Sequence, residues 1–223
     1  MKGEGKKAVV LLSGGLDSAT TLFYALQKGY ACHALIFVYG QRHAKEEQQA
    51  VRVAQHAGCS YDVVRISLPW AGSSLLDARM DLPANRDHIP DEIPSTYVPS
   101  RNILFLSYAA SCAEARGAEA VFIGANAVDY SGYPDCRPEF FQAYQQALDR
   151  GTRAGVEGRG IRIEIPLIDK TKAGIISLGK ELNVPYELTW SCYAGGERPC
   201  GVCDSCVLRA KGFREAGMED PAG

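Results

Sequence analysis

The chain has 223 residues, of which 46% are hydrophobic and 22% charged, and its formal net charge is −2 at pH 7. This length predicts one domain with a small appendage, and a chain of this size buries about 70% of the surface that it exposes when unfolded, so disulfide bonds are not needed. The sequence has no apolar run of the ~20 residues that a membrane span requires and no signal-peptide pattern. It also has no excess of cations for binding a phosphate backbone. We therefore expect a cytoplasmic protein that binds neither a membrane nor nucleic acid.

Short apolar runs alternate with helical patterns along the chain, which is typical of βαβ units around a parallel sheet. The strands are predicted at residues 8–12, 34–39, 61–66, 120–123 and 161–165. The helices are predicted at residues 17–28, 44–57, 103–115 and 171–182, with one through Phe141, Tyr144 and Leu148 and a short one from about Asp204. The expected fold is α/β with a doubly wound, mostly parallel sheet.

Helix ends and irregular stretches complete this outline. Asp17 or Ser18 is predicted to cap the first helix, and Gly29 to end it. The helix over residues 103–115 is apolar on nearly every side, which predicts that it is buried. Residues 68–100, with five prolines, and residues 124–138 show no regular pattern. Long irregular segments in a compact domain are usually functional.

The glycine turn (residues 13–18) follows the first predicted strand and reads Ser13-Gly14-Gly15-Leu16-Asp17-Ser18. Its two glycines allow the backbone to turn tightly and bring N–H groups up to a ligand, and the next helix presents its positive N-terminal end. This combination predicts a phosphate site at the carboxyl end of the first strand. The alternative is an ordinary turn capped by serine and aspartate. The chain has no G-x-x-x-x-G-K-[ST] motif, which excludes a P-loop kinase or GTPase.

Four of the eight cysteines lie within fifteen residues near the C-terminus: Cys192, Cys200, Cys203 and Cys206. Four thiolates at this spacing can surround one ion tetrahedrally, which predicts a structural zinc site. The alternatives are redox or cluster chemistry and plain buried cysteine, although an iron–sulfur run would place a cysteine and a proline where Val207 to Arg209 stand. Of the other four, Cys32, Cys59 and Cys112 fit small buried hydrophobes, and the role of Cys136 is open.

The glycine turn on this scaffold resembles the N-type ATP pyrophosphatase superfamily, whose members cleave ATP to AMP and pyrophosphate. Both motifs, with the stretches between them, resemble the 7-cyano-7-deazaguanine synthase family over about residues 7–211. The further segments that carry the resemblance are Tyr39-Gly40-Gln41-Arg42-His43, Tyr97-Val98-Pro99-Ser100-Arg101-Asn102, residues 126–137 and Pro166-Leu167-Ile168-Asp169-Lys170-Thr171-Lys172. Val38 stands where many members have an aspartate.

The resemblance implies a nucleotide-binding α/β domain over residues 7–185 and a zinc-binding module over residues 186–217. It implies ATP binding by Leu12, Ser13, Gly14, Gly15, Leu16, Asp17, Ser18, Ala19, Thr20, Thr21, Leu22 and Lys172. It implies catalytic roles for Asp17, Ser18, Arg101 and Lys172. The expected substrate residues are Tyr97, Arg101, Asn102, Asp129, Tyr130, Tyr133, Asp135 and Arg137.

The implied reaction takes 7-carboxy-7-deazaguanine, ammonia and ATP to 7-cyano-7-deazaguanine, AMP and pyrophosphate, through adenylated intermediates. The implied cofactors are one structural Zn²⁺ per chain and Mg²⁺ with ATP, and a homodimer is left open. Three other readings are also open: an ATP-dependent tRNA-modifying ligase or thiolase, a related enzyme acting on a different carboxylate, and a non-enzymatic adenine-nucleotide-binding module.

Overall fold

Five parallel strands form the central sheet of the computed structural model, which describes residues 5–42, 44–70, 72–77, 79–84, 93–128 and 132–221. The order across the sheet is β3-β2-β1-β4-β5. The strands are β1 (Lys7–Leu11), β2 (Ala31–Val38), β3 (Ser60–Arg65), β4 (Ala120–Phe122) and β5 (Arg162–Glu164). Every strand predicted from the sequence is present, so the expected doubly wound parallel sheet is confirmed.

Seven helices connect and cover the strands in the described part of the chain. They are α1 (Leu16–Gln27), α2 (Lys45–His56), α3 (Arg101–Arg116), α4 (Pro138–Gly151), α5 (Arg153–Val156), α6 (Lys172–Glu181) and α7 (Asp204–Glu215). All were predicted except α5, a single turn. Within residues 68–100, the described positions form turns and one isolated bridge, between Ala84 and Cys203. No described helix combines the length and apolar character needed to cross a bilayer.

The sheet is covered on both faces, and β1 contributes to both hydrophobic cores. Ala8 and Val10 belong to one core, with apolar residues of α1, α2, α6 and α7. Val9 and Leu11 belong to the other, with apolar residues of α3, α4 and α5. A strand buried on both faces must be apolar at every position, which explains why β1 reads as a continuous apolar run rather than an alternating one.

The start of α1 differs from the prediction. Gly15 is the N-cap residue, and no side chain caps the helix. Ser18 lies in the first turn, where its hydroxyl donates to the Gly15 carbonyl oxygen (3.1 Å) and accepts from the Ser13 N–H (3.1 Å). The predicted cap by Asp17 or Ser18 is therefore wrong, because the serine closes the glycine turn instead.

Helix α3 also differs from its prediction as a fully buried helix. Leu106, Ala109 and Ala113 are buried against the sheet, but Ile103 and Tyr108 are 39% and 47% exposed. The prediction is wrong because an apolar composition cannot show which side of a helix faces the sheet. Both of these apolar side chains therefore lie at the surface of α3.

The glycine turn lies at the switch point of the sheet, where the chain leaves β1 towards β2 on one side and returns at β4 on the other. Ligands of open α/β sheets bind in the crevice that this arrangement leaves. Gly14 has φ +83°, and a Cβ atom there would lie 2.5 Å from the Glu46 carbonyl oxygen and 2.7 Å from the Ala50 nitrogen. Only glycine satisfies both the backbone conformation and this close approach to α2.

We predict that Gly14→Ala lowers the free energy of unfolding by about 2–4 kcal/mol, because it adds a backbone overlap to the cost of positive φ. Gly29→Ala is the matched control, since Gly29 has φ +82° but a Cβ atom there would meet no described atom within 4 Å. The control variant should lose only about 1 kcal/mol. Urea denaturation measures both values, and equal losses would contradict the close approach of α2.

Candidate active site

A cavity of about 320 Å³ opens at the carboxyl ends of β1, β2 and β4. The glycine turn forms one wall, and the beginnings of α2, α3 and α6 form others. The cysteine segment (residues 190–206) and helix α7, which begins within it, also contribute to the lining. The lining includes the side chains of Asp17, Ser18, Tyr39, Glu46, Arg101, Asn102, Tyr133, Cys136, Lys172 and Trp190.

The glycine turn is held by hydrogen bonds within itself. The Ser13 and Ser18 hydroxyls lie 3.0 Å apart, and the Gly15 N–H donates to Ser13 Oγ over 3.3 Å. The Gly14 carbonyl oxygen accepts from the Trp190 N–H at 2.9 Å, which ties the turn to the cysteine segment. The cavity wall thus contains a rigid turn at a helix N-terminus, the arrangement that favours anions.

Asp17 and Lys172 meet across the cavity. Lys172 Nζ lies 2.8 and 2.7 Å from the two carboxylate oxygens of Asp17, and the side chains of Lys172 and Asp17 are only 16% and 28% exposed. Gly212 on α7 makes room for the lysine, since a Cβ there would lie 2.5 Å from Lys172 Cγ. The structure therefore places a carboxylate and a cation together beside the glycine turn. The two residues are 155 positions apart in the sequence, and each was predicted as a site residue on separate grounds.

A second polar group lies at the start of α3. Arg101 Nη1 donates to the Tyr39 hydroxyl at 3.2 Å, and the electrostatic field of Arg101 reaches Glu46 on α2. Burial raises the pKa of Glu46 to about 7, although the positive charge of Arg101 opposes the shift. Burial also raises the pKa of Tyr39. The cavity thus holds a guanidinium and a carboxyl group close to its apolar walls.

Only some of the predicted substrate residues line the cavity. Arg101, Asn102 and Tyr133 line the cavity, and the Tyr133 hydroxyl lies 2.7 Å from Thr96 Oγ1. Tyr97 and Arg137 are not among the lining residues: Tyr97 accepts from the Ser100 N–H at 3.0 Å, and Arg137 is exposed. Asp129 and Tyr130 lie outside the described residues.

Asp135 is 5% exposed and serves the start of α3. Its carboxylate accepts the Asn102 backbone N–H at 3.0 Å, and its carbonyl oxygen accepts from Asn102 Nδ2 at 3.0 Å. Asn102 Nδ2 also donates to Cys136 Sγ at 3.3 Å. Asp135 is not among the lining residues, so in this geometry it supports the cavity wall from behind.

The predicted ATP-binding segment is only partly at the cavity. Leu12, Ser13, Gly15, Leu16, Asp17 and Ser18 line it. Ala19 and Leu22 are fully buried in the core. Thr20 donates to the Leu16 carbonyl oxygen, and Thr21 to that of Asp17. Residues 19–22 therefore position α1 and do not reach the cavity.

The four C-terminal cysteines converge on one point. Their sulfur atoms all lie within 4.8 Å of one another, and the Cys200 and Cys206 sulfurs are 4.0 Å apart. A tetrahedral site with metal–sulfur bonds of about 2.3 Å separates its sulfurs by about 3.8 Å. The Cys192 sulfur also accepts from the N–H groups of Ala194 (3.4 Å) and Cys200 (3.3 Å). The cluster can therefore hold a metal ion.

Comparison with known proteins identifies the family. The family model described as queuosine biosynthesis protein QueC matches residues 7–217. The chain belongs to this family. It is 55% identical over 219 residues to the 7-cyano-7-deazaguanine synthase of Thermoplasma acidophilum, covering 98% of this chain and 92% of that protein. It is 54% identical to the enzyme of the same name from Nostoc punctiforme, covering 96% and 98%.

The fold of this QueC-family chain also matches solved structures at low identity. The NMN synthetase of Francisella tularensis superposes with a TM-score of 0.52 at 18% identity, over 96% of this chain and 79% of that one. This likeness shows the fold alone. The family model and the curated relatives confirm the resemblance to the 7-cyano-7-deazaguanine synthase family that the motifs indicated.

Sequence reasoning missed several cavity residues of this QueC-family chain. Glu46 and Trp190 were not predicted, although Glu46 lies three residues after the segment that ends at His43. Both residues reach the cavity because α2 and the cysteine segment pack on the glycine turn. This packing joins distant segments, so no local sequence pattern predicts it. The only signal for Glu46 was its nearness in sequence to a segment that carries the resemblance.

We predict that Cys203→Ser lowers the metal content of the purified protein from about one ion per chain to near zero, and lowers its thermal midpoint, because a structural metal contributes directly to folding. Cys59→Ser is the control, since Cys59 is half-buried against the core that contains Ala8 and Val10 and is far from the cluster in sequence. Elemental analysis and a thermal melt measure both effects. Full metal content in Cys203→Ser would show that the cluster is not the metal site.

Proposed function

We propose that this chain is a 7-cyano-7-deazaguanine synthase, which converts 7-carboxy-7-deazaguanine and ammonia to the nitrile and splits ATP into AMP and pyrophosphate, in queuosine biosynthesis. The observation that carries the proposal is that the glycine turn and Arg101 open into one cavity. The reaction needs ATP phosphates and a substrate carboxylate in contact. The names of the relatives supply the substrate class.

The glycine turn is proposed to bind the pyrophosphate portion of ATP. Its N–H groups and the N-terminus of α1 favour negative charge, and Lys172 Nζ lies beside them on Asp17. Arriving phosphates would draw Lys172 from Asp17 and leave the carboxylate available to Mg²⁺. Mg²⁺ supplies charge neutralisation on the phosphates. The proposed catalytic residues are accordingly Asp17, Ser18, Arg101 and Lys172.

Arg101 is proposed to pair with the carboxylate of the deazapurine, because a guanidinium fork matches a carboxylate in bidentate geometry. Tyr133 offers an aromatic surface for the ring system, with Tyr97 packed against it at 5.9 Å between ring centroids. Asp129 and Tyr130 remain proposed contacts to the purine edge and face. Asp135 and Arg137 remain proposed substrate residues, and Asp135 also supports the start of α3 through its hydrogen bonds to Asn102.

The chemistry proposed for the cavity is adenylation followed by displacement. The substrate carboxylate attacks the α-phosphate and releases pyrophosphate, and ammonia then displaces AMP to form an amide. A second adenylation turns the amide oxygen into a leaving group, so that loss of AMP and protons gives the nitrile. The chain supplies position and charge stabilisation rather than a nucleophile. Burial raises the pKa of the Cys136 thiol to about 12, which keeps it protonated in the cavity wall.

The cysteine cluster is proposed to bind one structural Zn²⁺, because four thiolates close the coordination sphere. A cytoplasmic location is proposed, since none of the eight cysteines forms a disulfide bond, as in reducing compartments. A homodimer is proposed to cover the exposed Ile103 and Tyr108 on α3. Light scattering of the purified protein and of Tyr108→Glu tests the homodimer, which the substitution should dissociate.

The direct test of the proposed function is an assay of the purified chain with ATP, Mg²⁺, 7-carboxy-7-deazaguanine and a nitrogen source. We predict nitrile, AMP and pyrophosphate with ammonium salts and none with ammonia-free glutamine. Four cysteines belong to the cluster, and burial raises the pKa of Cys32, Cys59 and Cys136, which disfavours a thiolate for glutamine cleavage. Efficient turnover on glutamine would contradict this, and AMP release that ignores the deazapurine would contradict the function.

We predict that Asp17→Ala reduces AMP formation at least about 100-fold, a loss typical of removing one preorganised charged group. Asp169→Ala is the matched control, because Asp169 is an exposed carboxylate three residues before Lys172. Both variants should keep the metal content and thermal midpoint of the unsubstituted protein. Turnover of Asp17→Ala within threefold of the control would contradict the role of the Asp17–Lys172 pair.

A further inference from the structure

Glu46 is the one acidic side chain besides Asp17 among the described residues that line the cavity. It is the second residue of α2, whose backbone at this point presses against Gly14. The backbone of Glu46 therefore lies against the glycine turn, and its side chain lines the cavity. Its neighbour Glu47 pairs with Arg65 at 2.7 Å on the outside of the helix.

The Glu46 carboxylate has no hydrogen bond and no ion pair within 4 Å among the described residues. The charged and titratable groups that act on it are Arg101 of α3 and the Tyr39 hydroxyl at the end of β2, which already accepts from Arg101. A largely buried carboxyl without a fixed partner is costly for folding. Such groups concentrate where a ligand supplies the missing partner.

The proposed reaction brings a cation to this place. Ammonia in neutral water is almost entirely ammonium, which has no lone pair for attack on an acyl carbon. The positive charge of Arg101, which is proposed to hold that acyl group, repels ammonium. A carboxylate close to Arg101 offsets this repulsion, offers a hydrogen-bond acceptor to the cation and can take its proton.

We propose that Glu46 is the ammonia site of the enzyme: its carboxylate binds ammonium and accepts one proton from it, which releases ammonia beside the carbon held by Arg101. This proposal rests on the proposed function. The nitrogen lone pair then forms the C–N bond, and the acyl C–O bond breaks with its electron pair going to AMP. The nitrogen, which still carries three hydrogens, loses one as a proton to the AMP phosphate and becomes the amide. Glu46 releases to solvent the proton that it took from ammonium.

The titration of Glu46 fits this role. Burial raises its pKa to about 7, so the basic form accumulates as the pH rises through about 7. A base is most effective when its pKa lies near the working pH. The group is therefore strong enough to take a proton from ammonium transiently and weak enough to release it again.

Glu46→Gln tests the proposal, with Glu47→Gln as the matched control one residue away. Three reactions are measured: substrate-dependent exchange of labelled pyrophosphate into ATP, nitrile formation from ammonium, and trapping of the activated carboxylate by hydroxylamine, which is mostly unprotonated at neutral pH. In Glu46→Gln we expect exchange and trapping within about threefold of the control and nitrile formation at least about 100-fold slower, as for loss of a general base.

The pH dependence provides a separate readout. For the unsubstituted protein, kcat/KM for ammonium should be level above about pH 7 and fall below it, because Glu46 must be unprotonated to take the proton that ammonium brings. Glu46→Gln should lose this change of slope, and Glu46→Asp should retain it with reduced rate. A merely structural role would leave the slope unchanged.

Nitrile formation within threefold of the control in Glu46→Gln would overturn the proposal. Loss of exchange or trapping to the same extent as nitrile formation would also overturn it, since Glu46 would then act before ammonia arrives. Absence of exchange in the unsubstituted protein would instead contradict the proposed function itself. Exchange in the unsubstituted protein therefore separates the two failures.

Discussion

The contact between Gly14 and the first turn of α2 is the constraint on which the rest of the site depends. The α2 backbone approaches so closely that a single methyl group at Gly14 would overlap the Glu46 carbonyl oxygen. The same turn is bound from the other side by the Trp190 N–H. A turn held between two elements cannot adapt its shape to a ligand, so its N–H groups are already placed when a phosphate arrives.

This packing also explains why the cysteine cluster lies near the cavity. Lys45, the first residue of α2, donates to the carbonyl oxygens of Gly196 (2.9 Å) and Glu197 (2.7 Å), and its Nζ lies 3.7 Å from the Trp190 ring centroid. The start of α2 thus contacts both the glycine turn and the cysteine segment. A metal in the cluster would stiffen the segment that supports the turn, which gives the proposed zinc a structural link to ATP binding without a catalytic role.

The parts of the fold that follow from local patterns could be predicted. The strands, most helices, the glycine turn and the cysteine cluster each depend on residues close together in sequence, such as the apolar run of β1. The positions that were missed depend on packing between distant segments. The hydrogen bond from the Asn102 N–H to the predicted substrate residue Asp135 joins residues 33 positions apart. The raised pKa of Glu46 arises from burial that only the assembled α2, α3 and β2 create.

In the proposed function, one cavity holds the ATP phosphates at the glycine turn and the substrate carboxylate at Arg101. A crystal structure with 7-carboxy-7-deazaguanine and a non-hydrolysable ATP analogue tests it most directly. We predict phosphate oxygens within hydrogen-bonding distance of the N–H groups of the turn and of Lys172 Nζ, with the carboxylate paired to Arg101 and facing the α-phosphate. Phosphates bound away from the turn, or a carboxylate directed away from Arg101, would contradict it.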